Sequence, residues 1–329
     1  MISQSIPSHL EEILDEIDDE LKSPTLMLLS ENVDDRIVGV VSLQHLCDEE
    51  SVPFLIHALN DESDDVVFTA VTSLWEIASQ AAVVPLIECL RSSCTERTRS
   101  EALNALKELV NQDHLLVLLD RLVQEDVPFQ ASILILLRKI HDIQALPSIA
   151  PFFDSSYEIL RQEAVTTLRY LNQLTHYPPA LKLATDPSIN VRKEALLTLA
   201  HLDEPAVLPT LHKSLVDDLS WEVRRNAAQA LERKSDASSA DSLALAIRDE
   251  HWQVRKFALR ALQPHVSPDI LPVLIPLLCD EYSDVRKEAA LALGNVDSEP
   301  SKSALLQSLH DSDIEVRIAS EKSLARIQS

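Results

Sequence analysis

Glycine is nearly absent from this chain of 329 residues, which contains only Gly39 and Gly294. A phosphate-binding loop or a dinucleotide-binding fingerprint needs several glycines within a few residues, because its backbone must approach the phosphates closely. The sequence therefore excludes both motifs. Aromatic residues are also few, at 4% of the chain. No apolar run reaches the length of a membrane span, so we expect no membrane insertion.

Motifs for metal binding or covalent catalysis are missing as well. The four cysteines form no CxxC pair, and the eleven histidines form no HExxH or other zinc-binding spacing. No GxSxG nucleophile motif occurs. The sequence thus predicts no catalytic residue, no metal site and no cofactor of a common class. Scattered thiols, and a start that lacks the basic and apolar regions of a secretory signal, predict a cytoplasmic protein.

Basic residues are outnumbered by acidic ones, 29 to 53, which gives a net charge of −24. Residues 1–65 alone carry 17 acidic and 2 basic side chains, a net of −15. Basic side chains supply most of the affinity of proteins for nucleic-acid backbones, so we expect no nucleic-acid partner. The acidic end fits either a solvated helix or the recognition of a protein that presents a basic patch.

What the chain does contain is one segment that recurs at a nearly constant interval. Its Val-Arg pairs place arginines at 192, 224, 255, 286 and 317, in steps of 32, 31, 31 and 31 residues. The five copies are DPSINVRKEALLTL from Asp186, DLSWEVRRNAAQAL from Asp218, DEHWQVRKFALRAL from Asp249, DEYSDVRKEAALAL from Asp280 and DSDIEVRIASEKSL from Asp311. A fixed period of this length predicts a stack of short helical repeats.

Four positions of the repeat keep their chemical character along the chain. The first, which we call the arginine position, is occupied by Arg36, Val67, Arg99, Pro128, Arg161, Arg192, Arg224, Arg255, Arg286 and Arg317. The residue three places later is small, the residue seven places later is Leu or Ile, and the residue six places earlier is usually Asp or Ser. A proline often stands fourteen residues earlier. This pattern predicts two helices per repeat, with a turn at the Asp and tight packing at the small residue.

The repeated D-x-x-x-x-V-R-x-x-A-x-x-x-L segments resemble the HEAT-repeat superfamily, and most closely the short repeats named after phycobilisome lyases. The resemblance extends over residues 23–329 and is strongest in the last five repeats. It implies an all-α, right-handed α-solenoid (superhelix) of about ten HEAT-like repeats of roughly 31 residues. The second helices would then line a concave face. The resemblance also implies a ladder of ion pairs between the Asp and Arg positions of successive repeats.

Two parts of the chain depart from the regular pattern. Residues 1–22 predict an acidic N-terminal capping helix, because the first repeat of a stack has no preceding neighbour and needs a polar outer face. Residues 113–143 form an irregular repeat, with Leu122 and Pro128 where Asp and Arg are expected. Its segment 133–137, ILILL, is apolar on every side. Such a helix is either buried within the stack or covered by a partner.

Candidate binding residues fall into three groups, each with a structural alternative. The aromatic group is either a binding hot spot or part of the core, and comprises Phe152, Phe153, Tyr157, Tyr170 and Tyr177. Trp221 and Trp252 occupy one position in adjacent repeats, so we expect them close together, as an exposed anchor or as packing between repeats. The residue after the arginine position is basic in four repeats, at Lys193, Arg225, Lys256 and Lys287. These cations would dock an anionic partner or form a solvated face balanced by Glu194 and Glu288.

The function that this pattern favours is a non-enzymatic scaffold or adaptor that binds a protein partner on its solenoid surface. The resemblance to phycobilisome lyases implies an alternative, a bilin lyase or chromophore chaperone acting on phycobiliproteins, or an adaptor in phycobilisome turnover. In the lyase case the basic residues would pair with bilin propionates and the tyrosines would contact the rings. A HEAT-type iron hydroxylase is disfavoured, because no His-Glu dipeptide occurs.

Overall fold

All regular elements are helices in the computed structural model, which describes residues 18–46, 49–91, 94–124, 126–172 and 174–328. These residues divide into two compact units. The first contains the described residues up to Pro151 together with Tyr170–Asn172, and the second contains Phe152–Arg169 and the residues from 174 onward. The acidic capping helix predicted for residues 1–22 lies almost wholly outside the described residues.

The first compact unit is built from pairs of helices, and the second helix of each pair is longer than the first. Its helices are α1 (Asp19–Met27), α2 (Val33–Leu46), α3 (Val52–Ala58), α4 (Asp64–Ile77), α5 (Val83–Glu88), α6 (Glu96–Leu109), α7 (Leu115–Leu122), α8 (Val127–Ile140) and α9 (Leu146–Ile149). Single 3-10 turns precede several first helices, at Glu49–Ser51, Gln80–Ala82, Gln112–His114 and Ile143–Ala145. Another 3-10 helix, Ala150–Asp154, follows α9, and its residues from Phe152 onward belong to the second compact unit.

The second compact unit continues the same alternation. Its helices are α10 (Glu158–Leu168), α11 (Ile189–Leu199), α12 (Val207–Asp217), α13 (Trp221–Lys234), α14 (Ala240–Ala246), α15 (Trp252–Leu262), α16 (Leu271–Leu274), α17 (Ser283–Leu293), α18 (Glu299–Ser308) and α19 (Ile314–Gln328). Its 3-10 segments are Pro178–Thr185, Ala237–Ser239, Gln263–His265, Pro268–Ile270 and Ile275–Cys279. Helices α11, α13, α15, α17 and α19 are the second helices of successive repeats.

The corner between the two helices of a repeat is formed by the Asp that stands six residues before the arginine position. Asp249 Oδ1 accepts a hydrogen bond from the His251 amide at 2.8 Å, and Asp280 Oδ1 accepts one from the Tyr282 amide at 3.0 Å. This side-chain turn ends one helix and starts the next, as the sequence predicts. Prolines such as Pro53 and Pro272 lie in the first turn of first helices, where no intrahelical amide partner is lost.

The core follows the small and large positions of the pattern. The Leu seven places after the arginine position is 0–7% exposed in every repeat outside the irregular one, from Leu43 to Leu324. The small position is equally buried because a neighbouring helix crosses there. A Cβ built on Gly39 would lie 2.8 Å from the Pro24 carbonyl oxygen and 3.0 Å from the Met27 Cβ. The predicted close approach of helices is therefore present.

In the irregular repeat, residues 113–143, the structure corrects which residue occupies the arginine position. In the other second helices the arginine position is the fourth helical residue, as Arg99 is in α6. In α8 that residue is Gln130 and not Pro128, since Asp126 caps the helix by accepting from the Phe129 amide at 3.0 Å. The interval between arginine positions is then 31 residues on both sides of this repeat. Pro128 instead lies in the first helical turn, where it is tolerated.

The apolar segment 133–137 of this repeat is mostly buried within its own compact unit. Ile133, Leu134, Leu136 and Leu137 have no exposed surface, and only Ile135 is half-buried. Ile135 is only half-buried because the two-residue shift places Leu137, rather than Ile135, at the large core position. Of the two interpretations of this segment, the structure supports burial within the stack.

Candidate functional site

The arginine position forms a directional ladder of ion pairs. Arg224 Nε and Nη2 donate to both carboxylate oxygens of Asp249 in the next repeat, at 2.6 and 3.0 Å. Its Nη1 donates to the Asp218 and Leu219 carbonyls at the corner of its own repeat, at 2.9 and 3.3 Å. The other pairs are Arg36–Asp61, Arg161–Asp186, Arg192–Asp218, Arg255–Asp280 and Arg286–Asp311. The expected ladder is confirmed, and these arginines are occupied by structural contacts.

The basic residue after the arginine position is also paired in three of four repeats. Lys193 Nζ lies 3.3 Å from Glu222 and Lys256 Nζ lies 3.1 Å from Asp284. Lys287 pairs with Glu315, and this hydrogen bond raises the pKa of Lys287. In each case the carboxylate stands two residues before the arginine position of the next repeat. These three cations therefore form a second, half-exposed rung between repeats.

The carboxylates that the sequence suggested as counter-charges, Glu194 and Glu288, have different partners. Glu194 accepts from Arg169 Nη2 at 3.0 Å. Glu288 accepts from Gln263 Nε2 at 2.8 Å, and burial raises the pKa of its carboxyl group. Among the described residues neither glutamate forms an ion pair with the basic column, but the positive charges of Arg260, Lys287 and Lys256 partly offset the rise in the pKa of Glu288. Both lie two residues after the arginine position, directly after the lysine of the basic column.

Arg225 is the exception in this second rung. The position that carries a carboxylate in the other repeats is Gln253, whose Oε1 is buried and has no hydrogen-bond partner among the described residues. Arg225 Nε and Nη2 turn instead to the Oδ1 of Asn226, at 3.1 and 2.9 Å. Its guanidinium carbon also lies 5.5 Å from the centre of the Trp221 ring. The guanidinium of Arg225 thus pairs with no carboxylate of the described residues.

Four rings form what we call the aromatic row, at the helix corners of three successive repeats. Trp221 stacks on His251 with centroids 3.7 Å apart and planes at 11°, and Trp252 stacks on Tyr282 at 5.0 Å and 13°. His251 and Trp252 are 6.4 Å apart. The two tryptophans are thus linked through His251, which the sequence analysis did not single out. His251 and Tyr282 both stand four residues before the arginine position of their repeats, so comparing that position between repeats could have identified them as ring residues.

The aromatic row is incompletely buried. Trp221, His251 and Trp252 are half-buried, and Tyr282 is 40% exposed. Lys256 Nζ lies 6.0 Å from the Trp252 ring centre, so a cation accompanies each tryptophan. The tryptophans therefore both pack between repeats and present ring surface to solvent, and the two alternatives left open by the sequence coexist.

The predicted aromatic group is not one cluster. Phe153 is buried at 2% exposure, with its ring 5.7 Å from that of Tyr177. Phe152 and Tyr177 are half-buried, and Tyr157 is 56% exposed. Tyr170 belongs to the other compact unit, where it is 42% exposed and its carbonyl lies 2.9 Å from His141 Nδ1. Tyr157 shares the repeat position of His251 and Tyr282, which places it at the same corner of an earlier repeat.

The described residues hold no group of three or more His, Cys, Asp or Glu that could bind a metal ion. Of the cysteines, Cys89 is buried, Cys94 is half-buried and Cys279 is exposed. Cys47 lies outside the described residues. No helix in the described part of the chain combines the length and the apolar character that crossing a membrane requires.

Comparison with solved structures shows the fold. An engineered protein, 20% identical over 95% of this chain and 100% of its own, superposes with a TM-score of 0.53. A chain from the structure of Kap95p with RanGDP, 13% identical, matches 98% of this chain and 54% of its own with a TM-score of 0.57. Comparison with curated proteins finds no match.

The HEAT repeats family matches residues 23–107, 146–232, 177–250 and 239–325. The matched segments leave out residues 108–145, which contain the irregular repeat with Gln130 at the arginine position. The paired helices and the buried small and large positions extend through the matched segments. The ion-pair ladder is continuous from Arg161 to Asp311, with a separate rung at Arg36–Asp61. The chain therefore belongs to the HEAT-repeat family, with an all-α solenoid fold.

Proposed function

We propose that this protein is a binding scaffold for another protein, and that the aromatic row of the second compact unit is a main contact. The observation that carries the proposal is the pair of ring stacks, Trp221 on His251 and Trp252 on Tyr282, each accompanied by a cation and each partly open to solvent. Tryptophan, tyrosine and arginine are the residues most enriched at interface hot spots.

The aromatic row is suited to binding because its rings are held in place before a partner arrives. Each stack joins two repeats, so the side chains have little rotamer freedom left to lose on association. Immobilising a mobile side chain costs about 0.5–1.5 kcal/mol, and a preorganised surface avoids most of that cost. Tyr157 occupies the equivalent corner position two repeats before Trp221 and is included in the proposed surface.

The partner's chemistry is indicated by charge. The segment of residues 1–65 has a net charge of −15, which steers a partner with a basic patch toward the first compact unit. Arg225, which has no carboxylate partner among the described residues, offers a donor to an acidic or polar side chain beside Trp221. Kap95p, which binds RanGDP, provides a precedent for protein binding by a similar fold.

We do not propose the bilin-lyase alternative. Three of the four cations that would pair with propionates, Lys193, Lys256 and Lys287, already pair with carboxylates of the next repeat. Of the aromatic residues suggested for ring contacts, Phe153 is core. No feature of the described residues favours an open-chain tetrapyrrole over a protein ligand. The subfamily of the repeats and the cytoplasmic location stay predictions.

The proposal is tested by affinity capture from the source organism with a matched set of variants. Trp221→Ala combined with Trp252→Ala removes both ring stacks, whereas Trp75→Ala removes a tryptophan of the first compact unit that donates to Glu108. Hot-spot tryptophans contribute about 2 kcal/mol or more, so we expect at least about a tenfold loss of specifically captured proteins with the double variant only. Unchanged capture by a folded double variant refutes the proposed surface.

A further inference from the structure

A cavity of about 470 Å³ lies in the second compact unit, at the C-terminal ends of the second helices α10, α11 and α13 and beside α15. Its charged and polar walls are Arg169, His201, Gln229, Glu232, Arg233 and Arg260. Its apolar walls are Leu197, Ala200 and Ala230. Four successive repeats therefore contribute to one concavity of the size typical of ligand sites.

The three arginines of this cavity are not equally satisfied. Arg169 pairs with Glu194 at 3.0 Å, and Arg260 pairs with Glu232 at 2.7 Å. Arg233 is exposed and makes no hydrogen bond or ion pair with any of the residues that the structure describes. Three guanidinium groups against two carboxylates leave one uncompensated positive charge. In a chain with a net charge of −24, such a basic cavity runs against the overall composition.

The pKa of His201 depends on this positive field. Burial lowers the pKa of His201, and the neighbouring positive charges of Arg233, Arg169 and Lys234 lower it further. Lys234 also forms an ion pair outside the cavity, because its Nζ lies 3.3 Å from the Asp203 carboxylate. An anion that enters the cavity would therefore raise the pKa of His201.

We propose that this cavity binds a single carboxylate group of a peptide segment, and that Arg233 is the residue that pairs with it. The proposal rests on the proposed protein-binding function and adds a second, chemically defined contact. The guanidinium of an arginine donates two parallel hydrogen bonds to a carboxylate. Leu197, Ala200 and Ala230 would contact the methylene groups that carry it.

Charge balance favours a carboxylate over a phosphate. One carboxylate neutralises the single uncompensated charge of the cavity. A phosphoryl group carries about −1.5 to −2 at neutral pH, which exceeds that charge and adds repulsion from an acidic chain. A tract of several acidic residues is disfavoured for the same reason. The expected ligand is an isolated Asp or Glu flanked by apolar residues.

The experiment uses the purified full chain and two acetylated, amidated pentapeptides, with a central glutamate or a central glutamine between leucines. Binding is followed by NMR of the histidine C2 protons, with the His201 signal assigned from a His201→Gln variant. We expect the glutamate peptide to bind at least about tenfold more tightly than the glutamine peptide. Its binding should also raise the pKa of His201, because it brings a negative charge near the imidazole.

Arg233→Gln should abolish the preference for glutamate, and should by itself raise the pKa of His201. Arg248→Gln, which changes an exposed arginine at the end of a first helix outside the cavity, should alter neither. Equal binding of the two peptides, no binding of either, a preference that survives Arg233→Gln, or tighter binding of a phosphoserine peptide would each overturn the proposal. Because defined peptides are used, its failure is distinct from failure of the capture experiment.

Discussion

Removing one arginine of the ladder should destabilise the repeat stack measurably. Arg224 and Asp249 are suited to the test, because each side chain is only 10% exposed and the pair is bidentate. The hydrogen bond to Asp249 is the main cause that raises the pKa of Arg224. In the variant Arg224→Gln the Asp249 carboxylate would keep only local donors, such as the His251 amide at 2.8 Å.

The magnitude follows from burial. Removing one partner of a buried pair costs about 3–5 kcal/mol, whereas exposed pairs contribute about 0–1 kcal/mol. A pair at 10% exposure lies near the lower end of the buried range, so we expect Arg224→Gln to lower the free energy of unfolding by about 3 kcal/mol. Arg317→Gln is the matched control. Arg317 bonds the carbonyls of Asp311 and Ser312 but pairs with no carboxylate of the described residues, so its loss should cost about 1 kcal/mol.

The assay is urea unfolding followed by circular dichroism at 222 nm, applied to Arg224→Gln, Asp249→Asn, the double variant and Arg317→Gln. The double-mutant cycle should give a coupling of about 2 kcal/mol between Arg224 and Asp249. A coupling near zero, or an equal loss in Arg224→Gln and Arg317→Gln, would show that the pairing between repeats adds nothing to the local hydrogen bonds. The ladder would then be a consequence of the stacking and not a cause of it.

Three further predictions concern other levels of the structure. Gly39→Ala should lower the thermal midpoint, since the added Cβ meets a carbonyl oxygen at 2.8 Å; a gain of stability, as helix propensity alone predicts, would contradict the close approach. Burial raises the pKa of Cys89 to about 12, so mass spectrometry should show iodoacetamide modifying exposed Cys279 first and Cys89 only on unfolding. The hydrogen bond from Arg286 lowers the pKa of Asp311 below its usual 3.8, so this pair stabilises above that pH and is lost as pH falls through the folded pKa. Urea midpoints of the native chain and Asp311→Asn should therefore converge below about pH 4, and a constant difference would contradict the assignment.

Much of the fold could be predicted from the sequence because its determinants are local and repeated. The Asp at a corner, the small residue three places after the arginine position and the Leu seven places after it each act within one repeat or on the next. Their spacing therefore predicts helix pairs, the buried face and the ion-pair ladder. The sequence did not predict Gln130 at the arginine position, because its side chain carries no positive charge. Its place in the helix follows from the Asp126 cap, which is seen only in the structure.

The candidate binding surfaces were less predictable for two physical reasons. The partner of a surface cation depends on which side chain of the next repeat it reaches, as Lys256 reaches Asp284 of the following repeat. The basic cavity depends on the ends of four helices that lie about 30 residues apart in the chain. Arg169 and Arg260 contribute to it from different repeat positions, so no single column of the alignment contains it.

The direction of the ladder has a consequence for how such a chain can change in length during evolution. Every rung is made by an arginine that reaches forward to the Asp of the following repeat, as Arg255 does to Asp280. Each repeat of this kind carries one donor and one acceptor. A tandem duplication of a whole repeat therefore creates its own matching rung and leaves every existing rung intact. A chain held together in this way can gain or lose units of about 31 residues without an unpaired buried charge.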